Sequence, residues 1–437
     1  MSSSARFGPV VLSLLCGLGA CRDGDGLGDQ PLPAPANLVD VIERMLPEVP
    51  RAADRARVLI GIAQAEADAD APSVQARLMA ATVATRAVDL PSEQAGLRTR
   101  LAQLWGQVGS VAEAQAVVEE IGSVELAAEA KVSLVRALVV AGQTKEAEAL
   151  ARAISVDRFK GPALLEVVRG YLAAGKRTTA GRLVAAFGTL PERDEALAEI
   201  VGAYGNKDGG ALVQGALADM KSPHWRGAAQ ATLALVHLKS RRRRQAMRTV
   251  EAIDSKWMKA RGYAQLYQHS HGLGRAKAAQ RLLKAARQTI EAIDDPMMKS
   301  AAMAEVLEVL SATQRYEEAE RLLRAMPDVG TRHKAEASLV ATYAESGRFE
   351  DAARMLLMVE QDALWGGVAA SSLAKAYAKA ARTHEALDTV ARIRAPDLRL
   401  PTVGYVARLC ASSGQPVGPA QVQAVKALLG LRPQPGS

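Results

Sequence analysis

Leu339–Val359 reads LVATYAESGRFEDAARMLLMV, and its punctuation decides the fold. The spacing predicts a helix that ends near Gly347, a turn, and a second helix from Phe349. A helix end needs one left-handed residue, and only Gly adopts that conformation without a Cβ penalty. Tyr343 stands four residues before the turn, Ala352 five after it and Val359 seven after that. These spacings put bulky groups on the inner face of each helix and a small one where the two helices approach closely.

The unit recurs through most of the chain. Counted at the Ala, copies fall at Ala114, Ala147, Ala180, Ala211, Ala246, Ala279, Ala319, Ala352 and Ala386. The intervals are 33, 33, 31, 35, 33, 40, 33 and 34 residues. Periods in this range mean a stacked array of helix pairs, which grows in one dimension without a central core. The turn is Gly109, Gly142, Gly175, Gly274 and Gly347 in five copies. The unit anchored at Ala211 is short and Gly-rich, and Ala276–Ile293 reads as one extended second helix. Aromatic residues make up only 4% of the chain, so Ala and Leu do the packing, and no Val/Ile/Thr-rich alternation marks a strand.

A large residue four before the turn Gly and an Ala five after it resemble the tetratricopeptide repeat, over roughly residues 95–394. A helical pair at 52–88 adds a tenth unit. The resemblance implies an all-α, right-handed superhelical solenoid of about ten helix-turn-helix repeats, with a concave face made mainly by first helices. The Trp that opens the family unit is missing, the late Ala is replaced by Ile, Met or Val, and the closing Pro is mostly absent. The pentatricopeptide family shares the Gly-to-Ala spacing and favours Met where Met326 stands, but its longer Pro-Asp loop is lacking here.

Residues 1–20, ending Leu18-Gly19-Ala20 before Cys21, resemble a bacterial lipoprotein signal. The apolar run is too short for a stable transmembrane span. The resemblance implies removal of Cys16, lipid on Cys21 and a cell-envelope location, with a cytoplasmic chain as the alternative. Arg22 in place of Asp favours the outer over the inner membrane. Residues 21–36 are a Gly/Pro-rich flexible tether; Asp23, Asp25 and Asp29 lack the further ligands of a calcium loop. Asn37 is placed to cap the first helix of an array spanning 37–394. Residues 395–430 are expected to cap its apolar end, and 431–437 to form a disordered tail. After processing, Cys410 is the sole cysteine, so no intrachain disulfide can form; it is expected to pack in the last helix.

Charge is unevenly placed. The first 150 residues hold 13 Lys/Arg and 19 Asp/Glu, whereas 221–290 alone hold 16 basic residues and two acidic ones. Arg241-Arg242-Arg243-Arg244 is the densest run. The residue after the turn is Lys176, Lys207, Arg242, Arg275, Arg315, Arg348 and Arg382 in successive units, a basic ladder spaced about 10 Å if the helices stack. Cations stabilise helix C-termini, which accounts for a ladder as such. It does not account for 14 net charges in 70 residues, where self-repulsion costs stability. Arg241, Arg242, Arg243, Arg244, Arg275 and Lys277, with Arg315 and Arg348, are therefore the candidate anion- or partner-binding residues.

The candidate partners are a protein or peptide, a membrane reached through the lipid, and an anionic surface or polymer. Export argues against nucleic acid; for a cytoplasmic chain, RNA leads. RNA binders interleave stacking aromatics with their cations, and Trp225, Trp257, Tyr263 and Tyr267 do lie in the basic stretch. Tyr263 and Tyr267 are four apart in a first helix, as core residues would be. No nucleophile elbow, phosphate loop or metal motif is present, and His269 and His271 point different ways on a helix. The expectation is a non-enzymatic interaction scaffold without catalytic residues, metal or cofactor.

Overall fold

The computed structural model describes residues 37–205, 210–414 and 416–431. The signal segment 1–20, Cys21, the tether 21–36, Lys207 and all of the 431–437 tail except Leu431 lie outside the described residues. Within them the chain is an all-α solenoid: 23 α-helices and no strand. A lone helix, Leu38–Met45, precedes eleven helix pairs, from Ala52–Asp68 with Val74–Arg86 to Pro396–Ser412 with Pro419–Leu428. Asn37 caps the lone helix, its side-chain oxygen accepting from the N–H groups of Val39 and Asp40 at 2.9 and 3.1 Å.

The local logic of the repeat is visible at each turn. Gly109, Gly142, Gly175, Gly274, Gly347 and Gly414 all have positive φ. So do Asp70, Arg241, Gln314 and Ala381, which hold the same turn position without the freedom of Gly. At Gly347 the N–H reaches the Ala344 carbonyl at 3.1 Å, and the next N–H, of Arg348, reaches Tyr343 at 2.9 Å. Two orphan carbonyls of the first helix are thereby satisfied. Ala114, Ala147, Ala180, Ala246, Ala279, Ala319, Ala352 and Ala386 are all buried. So are Trp105, Tyr171, Tyr343 and Tyr377 before the turns, and Ile121, Phe187, Ile253, Met326 and Ile393 after them.

One repeat was misregistered by the Ala count. Ala211 is exposed, and Val213 and Ala216 are the buried residues of the Gly210–Asp219 helix. Val213 lies 33 residues after Ala180 and 33 before Ala246, so it is the true anchor and Val replaces Ala there.

The helices form two compact units, 1–130 with 370–437, and 131–369. In the second unit, first helices pack side by side, from Asp157–Ala173 to Val329–Glu345, and second helices form a layer upon them. In the first unit, Pro396–Ser412 packs along Ala52–Asp68 although the two are more than 300 residues apart. The segment expected as a cap thus supplies an eleventh pair, whose first helix is joined to the start of the array. The approach is close because two glycines meet it. A Cβ on Gly61 would lie 1.9 Å from the Pro401 carbonyl oxygen, and one on Gly404 would lie 2.1 Å from that of Val58. Polar bonds fix the register: Tyr405 donates to Asp68 at 2.8 Å and Arg408 to Glu66 at 3.3 Å. Cys410 is buried, and burial pushes its thiol up.

Candidate anion-binding face

The basic stretch lies on four helices of the second unit, Pro223–Lys239, Arg243–Glu251, Lys256–Gly272 and Ala276–Glu291, with the candidate residues in or beside the second and fourth. The Arg243–Glu251 helix is short and buries only Ala246 and Val250, which leaves Arg243, Arg244 and Arg248 exposed. Arg241 holds the left-handed turn position at φ 62° and Arg242 is the N-cap. Arg275 is the N-cap of Ala276–Glu291, with Lys277 in its first turn. Arg241, Arg242, Arg243, Arg244, Arg275 and Lys277 make no ion pair and no side-chain hydrogen bond among the described residues.

This corrects the account of the ladder as a set of favourable helix C-termini. Among the described residues, Lys176, Arg242, Arg275, Arg315, Arg348 and Arg382 are each also the N-cap of the next helix, at the positive end of that helix's dipole. Arg242, Arg243 and Arg244 stack three positive charges there. A carboxylate three residues on offsets the charge in other copies: Arg315 pairs with Glu318, Arg348 with Asp351 and Arg382 with Glu385. At the equivalent places after Arg242 and Arg275 stand Gln245 and Ala278.

Between the Arg243–Glu251 and Ala276–Glu291 helices lies a cleft of about 160 Å³. Its floor is apolar, with Leu238, Met247, Leu266 and Leu282, and its rim carries Arg243, Arg275 and Arg281. The fold therefore brings Arg243 and Arg275 together and adds Arg281, which was not singled out from the sequence. Its signal is its register: it lies six residues after Arg275, next to the buried Leu282. Lys277 is exposed outside the cleft lining. Arg315 and Arg348 belong to a different arrangement. The Arg315 guanidinium lies 5.9 Å from the Tyr267 ring centroid and donates to its hydroxyl at 3.3 Å. The Arg348 guanidinium stacks between Tyr316 and Tyr343, at 4.5 and 5.0 Å.

The aromatic residues of the basic stretch are built into the protein. Tyr263 and Tyr267 are buried, and Trp225 and Trp257 pack against Ala228, Ile253 and Met258. His224 lies against both tryptophans, and burial followed by the charge of Arg261 lowers its proton affinity. His237 is half-buried, and burial with Arg242 nearby lowers it as well. No group of three metal-ligating side chains occurs among the described residues, and none of their helices is long and apolar enough to cross a membrane.

An arginine-rimmed apolar cleft on a helical-repeat frame defines the class of protein: an all-α solenoid with a cationic face on its second unit. No family model matches the chain, and no curated protein matches it. Among solved structures it is similar to Ton1535 from Thermococcus onnurineus NA1, at 13% identity over 77% of this chain and 94% of that one, with a TM-score of 0.26. It is also similar to a circular tandem repeat protein with a novel repeat topology and enhanced subunit contact surfaces. There the identity is 14% over 87% of this chain and 94% of that one, with a TM-score of 0.16.

Proposed function

We propose that the chain is a non-enzymatic scaffold that binds an acidic protein on the face formed by Arg241–Arg244, Arg275 and Arg281. The observation that carries this reading is the set of arginines left without counter-charge around an apolar cleft. Exposed cations flanking buried-type side chains suit a partner that presents carboxylates around an apolar anchor. The packing of Trp225, Trp257, Tyr263 and Tyr267 counts against nucleic acid, because stacking platforms are then lacking. The repeat is of the tetratricopeptide type, supported by the large residue before each turn and the buried Ala after it. The protein is a lipoprotein, held to the bacterial envelope through lipid on Cys21, with the outer membrane favoured; the support is Leu18–Cys21 and the tether that follows.

Two measurements test the reading. Fractionation with a lipid label compares wild type with Cys21→Ala; membrane retention of the variant would sink the anchoring. A photo-crosslinker at position 247 then captures what lies on the cleft in isolated envelopes. A protease-sensitive adduct that Arg243→Glu with Arg275→Glu abolishes supports the acidic-protein partner. A nuclease-sensitive adduct would transfer the face to nucleic acid.

A further inference from the structure

The first unit contains a second charged site, independent of the face above. A cavity of about 780 Å³ lies among Ala52–Asp68, Pro91–Gln107, residues 370–379 and Pro396–Ser412. That volume is in the range of small-molecule sites. Its lining divides into two ends. At one end Arg57 is fully answered: it pairs with Asp54 at 2.8 Å, Glu93 at 2.6 Å and Asp397 at 2.7 Å. Glu93 also takes Arg51 at 3.0 Å. This end sets two arginines against three carboxylates, so no cation is left over there for an anionic ligand.

The other end is not closed. Arg100 donates only to neutral acceptors, the side-chain oxygens of Gln64 at 2.9 Å and Gln103 at 3.1 Å. Lys375 makes no ion pair among the described residues; its Nζ rests over the Tyr405 ring at 4.6 Å. Asp68 is the nearby anion, but its oxygens are occupied. Oδ1 accepts from Gln64 and Gln107 at 2.7 and 2.9 Å, and Oδ2 accepts from Tyr405 at 2.8 Å. Lys379, one helical turn from Lys375, adds a further positive charge. Arg100 and Lys375 against Asp68 leave one positive charge at this end of the lining, and the exposed Lys379 stands outside it. Burial lowers the proton affinity of both Arg100 and Lys375, and Arg100 lowers that of Lys375 further. Lys375 is half-buried and Arg100 keeps much of its surface in solvent, and no carboxylate among the described residues bonds either one. Between the two ends, Ile60, Leu97 and Leu398 supply apolar wall.

We infer that this recess is a binding site for a phosphate monoester of a small, partly apolar organic group, its head held by Arg100 and Lys375. A phosphate monoester offers several charged oxygens, enough to meet both cations at once. A guanidinium presents paired donors to its oxygens and an ammonium supplies a point charge. The apolar wall takes the organic group.

The test is calorimetric titration of the full chain with phenyl phosphate, beside Arg100→Gln and Lys375→Met. The expected result is saturable binding by wild type and affinity about tenfold weaker in each variant. Ligand-free Lys375→Met is expected to melt no lower than wild type, because an unanswered charge has been removed; this separates lost binding from lost folding. Absence of saturable binding in wild type, or unchanged affinity in both variants, would overturn the site. Benzoate bound as tightly as phenyl phosphate would overturn the phosphate assignment. Binding lost only in Arg243→Gln with Arg275→Gln would move the anion to the other unit's basic face and overturn the inference.

Discussion

Arg348 and Arg275 occupy the same place in two units of one repeat, one residue past a left-handed turn and at the N-cap of a second helix. Arg348 is folded inward: stacked on Tyr316 and Tyr343 and paired with Asp351. Arg315 behaves alike, with Tyr267 and Glu318. Arg275 and its neighbour in the preceding unit, Arg242, have neither ring nor carboxylate and stand exposed beside an apolar cleft. The repeat thus supplies a cation at a fixed place, and two neighbouring residue choices decide its use. A ring within reach (Tyr343, four before the turn, for Arg348; Tyr267 of the preceding unit for Arg315) and an acid three after the cation make it part of the packing. Their replacement by His237 or Ser270 and by Gln245 or Ala278 leaves the charge outward. Cations left at a helix N-terminus cost stability, so their retention in consecutive units points to a contact made outside the chain.

The sharpest way to break this comparison is binding. With a labelled polyglutamate peptide read by anisotropy, Arg243→Glu with Arg275→Glu is expected to lose about a hundredfold in affinity. Arg315→Ala with Arg348→Ala is expected to stay within about threefold. Equal losses in the two pairs would mean that the whole ladder, and not the cleft, attracts the peptide. Stability should show the opposite order. Arg348→Ala removes two ring contacts and a part-exposed ion pair, about 1.5 kcal/mol together in denaturant unfolding. Arg242→Ala removes a charge from the wrong end of a dipole and should be neutral or stabilising by about 0.5 kcal/mol.

The turn residues offer a smaller, mirrored test. Arg241 holds a left-handed conformation that Gly347 holds without penalty. Arg241→Gly is expected to stabilise by about 1 kcal/mol, and Gly347→Arg to destabilise by about as much. A destabilising Arg241→Gly would show that this side chain has a folding role and weaken its place in an outward-facing site.

Much of this was written in the chain. The Gly turns, the Ala anchors and the bulky residues flanking them recur at fixed intervals, because helix ends and close helix contacts admit few residue types. The Ala211 register failed where the signal was composition and not period: four glycines crowd the unit, and Val213 meets the 33-residue spacing that Ala211 does not. The sorting of the arginines was legible in the acids at 318, 351 and 385, since a side chain three residues on shares a helix face. What no local pattern carries is the contact between Ala52–Asp68 and Pro396–Ser412. Gly61 and Gly404 mark a close approach of backbone, but a glycine inside a helix does not name its partner. The cavity with Arg100 and Lys375 depends on that contact, so its cations, unremarkable in a linear reading, meet only in the fold.

Acid titration distinguishes the two stretches most finely. In the inward stretch, hydrogen bonds from Arg354 hold Glu320 and Asp351 below their ordinary values, with burial opposing the shift. Tyr343 also donates to Glu320, at 2.7 Å. A carboxylate with a folded pKa below its unfolded one binds its proton more readily in the unfolded chain. Its contribution is therefore complete above the unfolded values of 4.5 for Glu and 3.8 for Asp, and is lost as pH falls through the folded ones. Glu305 and Glu336 are pushed up by burial and act with the opposite sign, so the useful quantity is a difference between variants. Glu320→Gln is expected to flatten the loss of stability below about pH 4.5, measured by denaturant midpoints across a pH series. Arg243→Gln is expected to leave the profile parallel to wild type, because no carboxylate among the described residues answers that arginine. A profile flattened by Arg243→Gln would reveal a carboxylate partner for it in solution and erase the distinction between the two stretches.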